Sequence, residues 1–241
     1  MAGKAPHRHP EQAPAVADPA ALDRLGEYAL RYVKPGHAIG LGTGRAASAF
    51  IRALIASGIK VRGVATSRHS EQMAREGGIE VVGLDAVERI DVTIDGADEV
   101  DPRLNLIKGL GGALVREKIV ATASRREIIL VGFEKLVRHL GEHRILPVEV
   151  VPFGAPLSVR LIKKLGLRPE MRRNPDGTET VSDNGNLIVD CKVDGTLNVR
   201  RVDRELRAIP GVVDHGMFLG IANTVLVAQA DGTIKVMNRP K

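Results

Sequence analysis

The 241 residues carry 44% apolar and 27% charged side chains, a globular balance with room for one large or two small domains, which excludes wholesale disorder. Lys and Arg (35) exceed Asp and Glu (29) by 6, but four Phe, two Tyr and no Trp leave little to stack on bases, so single-strand nucleic-acid binding has little support, and a small anion suits this charge at least as well as a nucleic acid. No apolar run reaches the roughly 18 residues of a membrane span, no secretory apolar core opens the chain, and Cys191 has no partner for an internal disulfide, so a cytoplasmic protein with no membrane partner is expected.

Residues 1–17 hold three prolines and no periodicity, and read as a flexible tail in which His7 and His9 are solvent-exposed rather than metal-binding. Asp18 then offers an N-cap with Pro19 at the first helical position. Leu22, Leu25, Ala29, Leu30 and Val33 follow at helical spacing until Pro35-Gly36. Apolar runs predict strands at 38–41, 60–65, 79–82, 92–94 and 127–131, alternating with helices at 46–57, 71–76 and 113–123. That alternation predicts an α/β fold with a doubly wound, mainly parallel, Rossmann-like sheet whose ligands bind at the carboxyl ends of the strands.

After about Leu140 the pattern changes. Strands at 145–152 and 187–193, helices at 158–165 and 202–209, and turns at 174–177 and 183–186 predict a small α+β domain near the lower size limit for independent stability. A hairpin at 224–228 and 233–236, turning on Asp231-Gly232, is expected to return to the first sheet and make the small domain an insertion. The expected division is a tail (1–17), a Rossmann-like domain (18–140 and 220–241) and an inserted α+β domain (141–219) covering the cleft.

Three segments carry chemistry. Gly40-Leu41-Gly42-Thr43-Gly44-Arg45 joins a strand to a helix, where glycines permit a sharp turn and the first helical N–H groups favour an anion. Arg45 occupies the third glycine position of the dinucleotide fingerprint and no acid ends the next strand, so NAD is disfavoured; the plainer reading is a tight turn. Asp95 and Asp98 leave the next strand edge together, either to share acid and base duties or simply to bond turn N–H groups. Lys108 precedes the glycine-rich run Gly109-Leu110-Gly111-Gly112, and Glu117 follows on the next helix. A lysine there can neutralise an oxyanion, and Glu117 has no charged partner four residues away to explain it as a surface ion pair. Arg116 and Lys118 read as ordinary solvated helix charges. The polar run Thr66-Ser67-Arg68-His69-Ser70 reads as a helix cap rather than part of a nucleophile triad, and no Cys-His cluster has metal-ligand spacing.

The runs GLGTG, TIDGADEVD, IKGLGGALVREKIVA, LPVEV and SDNGN, in this order across about residues 18–241, resemble A-type ribose-5-phosphate isomerase. The resemblance implies interconversion of ribose 5-phosphate and ribulose 5-phosphate through an enediolate, without cofactor or metal. It places Glu117 on the general base and Asp95, Asp98 and Lys108 on sugar-handling groups. Thr43, Gly44, Arg45 and Ala46 fall on the phosphate loop, with Gly96, Ala97, Gly109, Leu110, Gly111 and Lys135 at the substrate. It also implies a homodimer or larger homo-oligomer. Four positions depart from the family: Arg45 and Ala46 replace the usual Ser and Thr hydroxyls, Leu110 replaces a glycine and would be strained at positive φ, and Leu22 stands where a lysine is common. Two other readings of the same residues are a non-catalytic sugar-phosphate sensor and an isomerase or deaminase of another phosphosugar. The sensor predicts a DNA-binding helix pair, which a proline-rich tail of 17 residues is too short to supply.

Overall fold

The computed structural model describes residues 18–143, 145–193 and 198–239; the tail expected at 1–17 lies outside the described residues. Asp18 accepts a hydrogen bond from the Ala20 N–H and caps α1 (Pro19–Ala29) as its sequence predicts. Then follow β1 (Ala38–Leu41), α2 (Arg45–Ser57), β2 (Arg62–Ala65), α3 (Arg68–Glu76), β3 (Glu80–Val81) and β4 (Val92–Gly96). Two short strands, β5 (Glu99–Val100) and β6 (Leu106–Ile107), precede α4 (Leu114–Thr122) and β7 (Glu127–Gly132). The second half contains β8 (Ile145–Val150), α5 (Ala155–Lys164), β9 (Arg168–Met171), β10 (Leu187–Lys192), α6 (Val199–Arg207), β11 (Val212–His215), β12 (Met217–Phe218), β13 (Thr224–Ala228) and β14 (Ile234–Asn238).

Seven strands form one sheet in the order β14-β13-β7-β4-β1-β2-β3, parallel except for β14. The chain winds outward from β1 in one direction and from β4 in the other, so the doubly wound sheet has its switch point between these strands. Ile39, Ile94, Ile128 and Leu226 face α1 and α2 through Leu25, Phe50 and Ile51. Alternate residues, among them Ile129, Val131, Val225 and Val227, face the other way toward Ala121 of α4 and Phe218. The hairpin β13–β14 returns to this sheet as expected, because β13 pairs with β7.

A second, antiparallel sheet has the order β11-β8-β10-β9. Its core of Leu146, Val148, Val189 and Cys191 packs on Ile162 of α5 and Leu206 of α6, and continues into Ile107 and Met217. Those last two residues belong to a small third sheet, β12-β6-β5, between the other two. Its two-residue strands are too short for a period-2 pattern to register in sequence.

Candidate active site

The switch point carries the first segment. After β1, Gly42 passes so close to β4 that a Cβ there would fall 2.3 Å from Asp95 Oδ1. Gly44, at φ 101°, then turns the chain into α2 without offering a side-chain cap to its first N–H groups. Thr43 Oγ1 lies 2.8 Å from both Thr66 Oγ1 and Ser67 Oγ, which joins this turn to the start of α3. Ser67 caps α3 by accepting from the Ser70 N–H, the capping role that its sequence suggests.

Strand β4 runs on to Gly96, so Asp95 lies within the strand and is completely buried. Its Oδ1 accepts the N–H groups of Thr43 (3.0 Å) and Gly96 (2.7 Å), while Oδ2 stands 3.0 Å from Lys108 Nζ. Asp98 accepts the Leu110 N–H at 3.0 Å and so holds the glycine-rich loop. Both acids thus bond turn N–H groups, and Asp95 forms an ion pair as well.

Lys108 is 2% exposed. Its ammonium donates to the Gly96 carbonyl oxygen and lies 3.3 Å from Glu117 Oε1, reaching in from α4. Burial pushes the Lys108 pKa down, but Asp95, Glu117 and Glu127 together outweigh it and hold the group above the ordinary lysine value. Burial pushes Glu117 up to about 8; Lys108 opposes that rise, and the negative charges of Asp95 and Asp98 add to it. A carboxyl poised in this range, 3.3 Å from a fixed cation, can take up and return a proton while the cation stabilises oxygen charge.

Of the residues singled out by the resemblance, all but two line one cavity above this ion cluster. The exceptions are Asp95, sealed beneath the cavity, and Leu110, whose side chain is 47% exposed. Leu110 is unstrained, since the positive φ angles of its loop fall on Gly109 and Gly112. Leu22 reaches the cavity from α1, and Lys135 and Glu134 border it after β7.

Other residues carry more than their sequence suggests. Lys118, expected in solvent, is buried against Asp214 and Phe218 because α4 is covered on that side by β11 and β12. Arg116 is half-buried and donates to Asn184 Oδ1 (2.8 Å) and the Asp183 carbonyl (2.9 Å). Arg172, just after β9, pairs with Asp190 and donates to the carbonyls of Gly109 (3.1 Å) and Leu110 (2.9 Å), tying the second sheet to the glycine-rich loop. Glu149, from LPVEV, accepts from Ser182, Asn184 and Asn186 of the SDNGN turn. Glu127 opens β7 on the Asp95 side of the sheet, buried with neither carboxyl oxygen bonded; an acid heading an otherwise apolar strand is the sequence signal for it. Among the described residues no three His, Cys, Asp or Glu side chains are grouped to hold a metal ion, and no helix is long and apolar enough to cross a membrane.

An anion-binding turn, a buried lysine and a poised carboxyl at the switch point of a parallel sheet define an α/β site for proton transfer on a small anionic substrate. A sequence model described as ribose 5-phosphate isomerase A (phosphoriboisomerase A) matches residues 62–232. A ribose-5-phosphate isomerase A from Roseiflexus sp. (strain RS-1) is 45% identical over 88% of this chain and 94% of its own. The ribose 5-phosphate isomerase of Plasmodium falciparum superposes with a TM-score of 0.89 at 33% identity, covering 93% of this chain and all of that one. A D-ribose-5-phosphate isomerase solved in complex with phospho-erythronic acid superposes with a TM-score of 0.86 at 35% identity, covering 91% of this chain and 98% of its own. The chain belongs to the ribose 5-phosphate isomerase A family.

Proposed function

We propose that this protein interconverts D-ribose 5-phosphate and D-ribulose 5-phosphate through an enediolate. The observation that carries the reading is the 3.3 Å approach of the Glu117 carboxyl to the buried Lys108 ammonium beside an anion-binding turn. In the open-chain aldose, ionised Glu117 removes the proton from C2, and the electron pair moves through C1–C2 onto the aldehyde oxygen. Lys108 faces the resulting oxyanion. A proton passes from the C2 hydroxyl to the C1 oxygen, and Glu117 returns its proton to C1, leaving the ketone at C2. The reverse sequence regenerates the aldose.

Asp95 contributes to ring opening through Lys108, whose ammonium it holds, because Asp95 itself is sealed from the cavity. Asp98 orients sugar hydroxyls from the cavity wall, with the backbone of 96–97 and 109–111 around them. The phosphate sits at the turn of Thr43, Gly44, Arg45 and Ala46. There Arg45, exposed and with no side-chain partner among the described residues, supplies a guanidinium where the two hydroxyls are missing. Lys135 faces the substrate from the opposite border.

Residues 141–219 act as the inserted unit that closes over this cleft, with Arg172 on the glycine-rich loop as its foothold. The working protein is a cytoplasmic homodimer or larger homo-oligomer, which light scattering measures directly. The primary test mixes purified protein with ribose 5-phosphate in EDTA and follows ketose formation. Ribulose 5-phosphate at equilibrium proportion is expected. Binding without turnover would instead identify a sensor, and turnover only of another phosphosugar would reassign the substrate.

A further inference from the structure

Lys118 follows the proposed base on α4, but its side chain serves a different set of partners. Its ammonium lies 2.7 Å from Asp214 Oδ1, donates to the His215 carbonyl oxygen, and sits 4.9 Å from the centre of the Phe218 ring. All three partners lie on the short run 214–218, which also flanks Lys108. The Lys108 N–H donates to the Gly216 carbonyl at 2.9 Å. A Cβ on Gly216 would come within 2.2 Å of the Lys108 carbonyl oxygen, so the two backbones are in direct contact. Strand β12 then pairs with β6, which ends at Ile107, and the Lys108 ammonium lies 5.5 Å from the same Phe218 ring.

We propose that Lys118 is a positioning residue for the isomerisation: it ties the helix carrying Glu117 to the 214–218 run that backs Lys108. The proposal rests on the isomerase reading and extends it. The separation between Glu117 and Lys108 is set where two elements meet, the start of α4 and the end of β6. The hydrogen bonds from Lys118 to Asp214 and His215 form a polar link between them on the side away from the cavity. Helix α6 completes the link. Arg207 stands 3.4 Å from Asp214, and Asp203 stands 3.1 Å from His215 Nε2, while His215 Nδ1 accepts the Met217 N–H. A buried ion pair contributes little to stability compared with well-packed apolar side chains, so stability alone is a weak reason for this one. Misplacing a reacting group by about 1 Å can cost roughly 100-fold in rate, so geometry is the stronger reason.

The test measures kcat, KM and the thermal midpoint for the whole protein and for K118M and K118M/D214N. The double variant removes both charges together, so no buried carboxylate is stranded, and it carries the test if K118M fails to fold. Both variants are expected to lose about 10- to 100-fold in kcat with KM within about threefold, and the loss persists in the double variant even where its midpoint matches wild type. Wild-type kcat in K118M, or in a double variant of wild-type midpoint, would overturn the proposal, as would a loss confined to KM. A wild-type protein without turnover would fail separately, as a failure of the isomerase reading.

Discussion

Lys108 and Lys118 bury their ammonium groups beside the same Phe218 ring, at 5.5 and 4.9 Å, and each has a carboxylate within 3.0 Å. Burial pushes both pKa values down, yet the outcomes differ. Lys108 is surrounded by Asp95, Glu117 and Glu127, and their attraction carries it above the ordinary lysine value. Lys118 has Asp214 as its main partner and Arg207 repelling it nearby, so burial prevails and pushes it down to about 8. Burial alone therefore does not decide whether an ammonium keeps its proton; the local count of opposing carboxyls does. The carboxyls crowded around Lys108 also act on Glu117: burial raises its pKa to about 8, Lys108 opposes the rise, and Asp95 and Asp98 add to it.

The sharpest way to break this comparison is to remove a carboxyl from the Lys108 side. Glu117→Gln keeps the shape and loses the base, so kcat is expected to fall roughly 10²- to 10⁴-fold with little change in KM. Steady-state kinetics on ribose 5-phosphate checks this, and near-wild-type turnover would remove Glu117 from the mechanism.

Arg45 borders the cavity with Lys108 and is exposed where Lys108 and Lys118 are buried. Losing a hydrogen bond to a charged group costs about 1.5–3 kcal/mol, so Arg45→Ala should weaken ribose 5-phosphate binding roughly 10- to 150-fold. Inhibition by a sugar acid without phosphate should barely change. Equal losses for both ligands would assign Arg45 to the folding of its turn.

Titration sharpens the comparison further. Glu117 acts as a base only when ionised, and its pKa stands at about 8, so kcat/KM should rise as pH increases through that region. Lys108 remains charged across the same range and adds no limb of its own. Asp98→Asn removes a negative charge that holds Glu117 up, so the limb should move to lower pH whatever happens to the maximal rate. A limb that stays in place would show that Asp98 does not help to hold the Glu117 pKa up.

The smallest expected effect concerns the third carboxyl. Neither oxygen of Glu127 is bonded, and burial, with Asp95 adding to it, raises its pKa well above 4.5. An unsatisfied buried polar group costs about 1–3 kcal/mol, so Glu127→Leu should stabilise the fold by that order in denaturant unfolding. A raised folded pKa means that stability is lost as pH climbs above the unfolded value, so the gain should be larger at pH 8 than at pH 4. Destabilisation at both pH values would mean that the Glu127 carboxyl satisfies a partner it is not seen to bond.

Local chemistry by itself determined much of this protein. The alternation of apolar runs with helical spacing, the Asp18-Pro19 cap and the Asp231-Gly232 hairpin each act over a few residues, and the corresponding elements form where the pattern places them. The glycine turn and the DGADE run are legible for the same reason, because each lies at the carboxyl end of a strand of the large sheet, whereas the lysine before the glycine-rich loop follows β6 of the small third sheet. Tertiary structure alone decided which charges are buried. On α4, Arg116, Glu117 and Lys118 are consecutive charged residues, and nothing within the helix tells them apart. Their fates differ because the cavity, the Asp183-Asn184 turn and strands β11 and β12 each cover a different side of that helix. Those partners lie tens of residues away, as do Arg172 on the glycine-rich loop and Asn223 on the Glu127 N–H. Desolvation and ion pairing depend on what the fold brings within a few ångströms, and no local spacing encodes that distance.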